Sequence, residues 1–133
     1  MSQTNLSFDQ KHNLLTSAIK LSINLLQDKC SKNNQITVYK QLETVKIYLN
    51  QSDQKFQTID ISYNPELELL KFKEAILYLI LAEKKINSIE PLLTKSNIDE
   101  EFFDDYSSIK LGIKNLLELF SKYQNLIDFP ISF

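Results

Sequence analysis

The chain has 133 residues, 43 % of them apolar, and a formal charge of −2 from 15 lysines against 17 acids, with no arginine. Such a length and composition fit one globular domain and exclude a disordered tail. An acidic chain without the guanidinium fork that reads guanine and clamps phosphate is a poor nucleic-acid binder.

Glycine occurs once, at Gly112, and proline three times, at Pro65, Pro91 and Pro130. All-β folds spend glycine freely on turns and bulges, so its scarcity points to helices. It also removes the glycine loops that let a backbone cradle phosphate. The lone cysteine, Cys30, allows no internal disulfide, which fits a reducing, cytoplasmic setting. The polar stretch Met1 to Asp9 does not read as a signal peptide. The longest apolar run, Ala75 to Ala82, is far short of the roughly 20 residues that span a bilayer.

The first helix is expected over about 8–30. Ser7 and Gln10 have capping-box spacing. Leu14, Ala18, Leu21 and Leu25 then recur at helical intervals and are read as the core stripe, widened by Leu15, Ile19 and Leu26. A second helix is expected over about 35–50, with Val38, Leu42, Val45 and Leu49 on one face. Residues 52–63 are read as an ordered loop. Because Val45 to Leu49 and Ile59 to Tyr63 also alternate, a small β-hairpin at about 44–63 is the alternative.

The third helix, about 65–90, opens on Asn64, Pro65 and Glu66, a cap, a first-turn proline and an acid at the positive end of the dipole. Leu69, Phe72, Ile76, Leu79, Ala82, Ile86 and Ile89 carry its rhythm. Around Ala75 to Ala82 it is apolar on all sides, so it is read as the central helix of the domain, with a dimer or partner surface as the alternative. Pro91 is expected to end or kink it. The fourth helix, about 98–127, has the clearest seam: Phe102, Tyr106, Ile109, Ile113, Leu116, Phe120, Tyr123 and Ile127 alternate by four and three, with Phe103 and Leu117 broadening the face. The fold expected is all-α, a four-helix antiparallel bundle-like single domain over 1–133 with an apolar tail at 128–133. The hairpin alternative would make it α+β.

The order of elements resembles that of the flagellin-type export chaperones: a helix containing Ala18 to Leu21, a broken middle at Ile59 to Ser62, then two long helices. The resemblance rests on amphipathic pattern, and the mid-chain glycines frequent in that family are missing. It implies binding of a secreted helical client.

Little in the sequence suggests catalysis. His12 is the only histidine and is read as a solvated surface residue, so neither a His-rich metal site nor the paired Glu-x-x-His motif can form. Cys30, near a helix C-terminus, is read as packing. No cofactor is expected.

Two segments stand out as candidate partner contacts. Asp99, Glu100, Glu101, Phe102, Phe103, Asp104 and Asp105 put five acids in seven residues at the start of the fourth helix. They read as complements of the helix dipole, as a docking patch for a basic partner with a phenylalanine anchor, or as a divalent-cation site. In the tail, Phe129, Ile131 and Phe133 alternate around Pro130, either folding back over a groove or offered to a partner.

The function expected is a non-enzymatic protein-interaction module, an adaptor, chaperone or complex subunit that receives an apolar helix or strand of a protein partner in a groove. A small acidic inhibitor docking a basic surface is the alternative, and a metal-dependent enzyme stands third. A homodimer stays open. Nucleic acid and a membrane span are not expected.

Overall fold

The computed structural model describes residues 7–59, 65–95 and 100–127. Four helices occupy them: α1 (Phe8–Lys32), α2 (Ile36–Gln57), α3 (Pro65–Lys95) and α4 (Glu100–Ile127). No strand occurs among the described residues, so the hairpin alternative falls: its first arm lies inside α2.

Each helix packs on two neighbours, α1 on α2 and α4, α3 on α2 and α4. Cross-links fix the directions. Gln27 Nε2 donates to Glu43 Oε1 at 2.8 Å, while His12, near the other end of α1, stacks on Phe56. Ser52 Oγ donates to the Ala75 carbonyl at 2.7 Å, and Lys55 pairs with Glu74 at 2.8 Å. Tyr106 Oη donates to the Ile86 carbonyl at 2.9 Å, whereas Phe72 meets Phe120. Lys29 pairs with Asp105 at 2.6 Å, and Phe8 packs edge-on to Phe120. Every adjacent pair is antiparallel, the arrangement that short connections impose.

The capping box forms as expected: Gln10 N donates to Ser7 Oγ at 3.2 Å and Ser7 N to Gln10 Oε1 at 2.9 Å. At the other end of α1, Asn34 takes a left-handed φ of 59°, and Gln35 N donates to the Cys30 carbonyl at 2.8 Å. Asparagine tolerates that backbone better than most residues, and the long bond closes the helix in Schellman fashion.

The core differs from expectation in α1. Its buried face is His12, Thr16, Ile19, Ile23, Leu26, Gln27 and Cys30. Leu14, Ala18, Leu21 and Leu25, read as the core stripe, face solvent. α2 is longer than expected. The 52–63 loop is helix to Gln57, because Ser52 and Phe56 continue the buried row of Val38, Leu42, Val45 and Leu49. Only Thr58 and Ile59 of the described chain follow it, and residues 60–64 lie outside the described residues.

α3 continues through Pro91 to Lys95, and Leu93 beyond it is fully buried. Proline offers no N–H to the carbonyl one turn back, a loss that core burial of Leu93 helps to offset. α3 is not a central helix either. It occupies a corner like the others, its row from Phe72 to Ile89 is buried, and Leu70 and Leu77 face solvent. In α4 the seam from Phe102 to Phe120 is buried throughout, whereas the side chains of Tyr123 and Ile127 lie outside the described residues.

Candidate functional site

His12 is 1 % exposed and not a surface residue. Its ring stacks on Phe56 at 4.1 Å and meets Phe120 edge-on at 5.6 Å, with Phe8 over it at 6.3 Å. Nδ1 lies 3.4 Å from Asn13 Oδ1 and 3.9 Å from Asp53 Oδ1. Burial lowers its pKa, and neither Asn13 nor Asp53 offsets that loss of hydration. An imidazole closed off by three phenyl rings meets no substrate. Cys30 is fully buried, and desolvation pushes its thiol up to about 11, the opposite of what a nucleophile needs.

The acidic segment divides. Asp99 lies outside the described residues; Glu100 and Glu101 open α4, and their side chains lie outside them as well. Phe102 is 4 % exposed and belongs to the core, and Phe103 packs half-buried beside it. Asp105 is tied to Lys29, and Asp104 faces solvent while its carbonyl accepts Ser108 Oγ. Among the described residues no three His, Cys, Asp or Glu side chains gather within reach of one ion. Phe129, Ile131 and Phe133 lie outside the described residues.

What the fold does bring together is apolar. On α1, Leu14, Leu21 and Leu25 are 59, 61 and 49 % exposed and lie in one row with exposed Ala18, on the side of the helix away from the buried face. From Leu14 to Leu25 this outer face, which also carries Ser17 and Asn24, holds no charge; Lys11 and Asp28 stand at its two ends. Beside it runs a groove of about 430 Å³ between α1 and α4, lined by Lys11, Leu14, Leu15, Asn115, Glu118, Leu119 and Lys122. One turn before Asn115, on the same face of α4, stands Leu111, 58 % exposed. Gly112 lets the two helices approach here: a Cβ built on it would fall 2.5 Å from Ile19 Cγ1.

A second hollow, about 510 Å³, lies at the α1–α2 corner around Cys30, Ile36 and Tyr39. A polar cluster adjoins it: Lys46 Nζ donates to Asn24 Oδ1, Gln27 Oε1 and Glu43 Oε1. The bond from Gln27, then Lys46, holds the Glu43 carboxyl below its usual range. These groups satisfy one another and fix α1 to α2.

No described helix is long and apolar enough to cross a membrane. No protein-family model, no curated protein and no solved structure matches this chain.

Proposed function

We propose that this chain is a non-enzymatic protein-interaction module, an adaptor, chaperone or complex subunit that takes an apolar helix of a partner against the outer face of α1 and the groove beside α4. The row of Leu14, Ala18, Leu21 and Leu25 in solvent carries this reading. Single exposed leucines are ordinary on protein surfaces, but a contiguous row at helical spacing is the form that helix-in-groove recognition takes. The one histidine and the one cysteine, the strongest candidates for base and nucleophile, are both enclosed. The acidic-inhibitor reading draws less support, because Asp105 already has its lysine and Phe102 is core.

Affinity purification from the cells that make the protein tests the proposal. A stoichiometric protein should be retained by the wild type and by Leu77→Lys on α3, and lost from Leu21→Lys, with helical circular dichroism unchanged in all three. Retention indifferent to Leu21→Lys, or nothing retained by the wild type, contradicts it.

A further inference from the structure

The two ends of α1 are held to the bundle in different ways. From Ile19 onward the inner face carries Ile19, Ile23, Leu26 and Cys30, each at most 2 % exposed, and Gln27 and Lys29 tie the helix to Glu43 and Asp105. The close approach of α4 at Gly112 falls on Ile19. In the turns before Ile19 the inner face holds His12 and Thr16 instead. Thr16 Oγ1 is buried without a hydrogen-bond partner, so folding costs it the hydration it had in the open chain. The bond from Gln57 to Asn13, which also joins α2 to this end, is exposed to water.

The packing around His12 suits a neutral imidazole and not an imidazolium. The helices packed on α1 are α2 and α4. From α2, Asp53 stands 3.9 Å from Nδ1, beyond hydrogen-bond reach, and its Oδ1 accepts Gln57 Nε2 at 3.2 Å. From α4 comes the Phe120 ring, while Glu118 and Lys122 line the groove outside. On α1 itself, Asp9 favours a charge on the ring and Lys20 opposes it. Burial outweighs these groups and holds the ring neutral.

We infer that the end of α1 from Phe8 to Thr16 is an acid-sensitive latch: protonation of His12 releases these turns from Phe56 and Phe120 while α1 from Ile19 onward stays packed. Opening gives the imidazolium to water and lets water reach the Thr16 hydroxyl. It uncovers the ring faces of Phe56 and Phe120 that Phe8 and His12 cover, with Phe72 beside Phe120. Such an opening is local and precedes global unfolding. It does not depend on what docks against the outer face of α1.

Hydrogen exchange of the native full chain, read amide by amide by NMR at pH 7.5 and pH 5.0, tests the latch. A released histidine titrates at about pH 6.5, so the opening equilibrium rises by up to about 30-fold between these two values. Protection of the His12 to Thr16 amides should fall by that factor, and urea below the unfolding transition should leave it unchanged at each pH. The Ile23 and Leu26 amides open with the whole molecule. Their protection should be higher at each pH and should fall with urea.

His12→Phe should remove the pH dependence at residues 12–16. Thr16→Val, which replaces the unpartnered hydroxyl by a methyl group of similar size, should keep that dependence and raise protection there about ten-fold at both pH values. Residues 12–16 that share the protection and urea dependence of Ile23 and Leu26 would open only with the whole bundle. That result overturns the proposal, as does a pH dependence that survives His12→Phe or a Thr16→Val variant without the gain.

Discussion

His12 sits neutral among Phe8, Phe56 and Phe120, and the unfolded chain takes up a proton there below about pH 6.5. Its folded pKa is depressed, so the unfolded state binds more protons as pH falls through that value. Stability from this group is therefore complete above about pH 6.5 and is lost progressively as pH falls toward and through the folded value. It is the only histidine in the chain, so the slope in this window belongs to it. In urea unfolding at a series of pH values, His12→Phe should flatten the dependence between about pH 5 and 7. An unchanged slope would place the histidine in water. At Gly112 two effects oppose each other. Alanine gains up to about 1 kcal/mol of helix propensity, whereas overpacking against Ile19 costs about 1–3 kcal/mol. Gly112→Ala should lower stability by about 1 kcal/mol in denaturant titration; a stabilised variant would mean α1 and α4 stand further apart.

At the scale of elements, α4 was the most legible because its apolar residues from Phe102 to Phe120 form one strong seam. Burial follows that seam residue for residue. α1 carries two rows. The outer one, Leu14, Ala18, Leu21 and Leu25, is wholly apolar. The inner one includes His12, Thr16 and Gln27, so a reading by hydrophobicity selects the wrong face. What pulls the inner row inward is not visible locally: the phenyl rings of three helices around His12, and Glu43 with the Tyr39 carbonyl for Gln27. The same holds in α2, where Ser52 interrupts the apolar row but finds the Ala75 carbonyl. The alternation at Val45 to Leu49 suggested a strand; helix packing through Gln57 overrode it, and residues 60–63 of the second arm lie outside the described residues. The acidic run at the head of α4 looked like one surface patch, yet helical geometry sends Phe102 inward and Asp105 to Lys29. The exposed apolar row of α1 was thus present in the sequence as a pattern, but read as core.

For the whole molecule, short connections and antiparallel neighbours close the four helices into a ring, and each helix then has one covered side and one free side. The direction in which α1 is turned decides whether the row of Leu14, Ala18, Leu21 and Leu25 lies in solvent or in the core. Equilibrium unfolding of Ile23→Ala and Leu21→Ala, side by side in dilute protein, measures that most directly. Ile23→Ala should lose about 2–5 kcal/mol, as a fully buried side chain does, and Leu21→Ala no more than about 0.5 kcal/mol. A reversed order, with Leu21 the costly position, would turn α1 over and remove the exposed apolar row on which the proposed function rests.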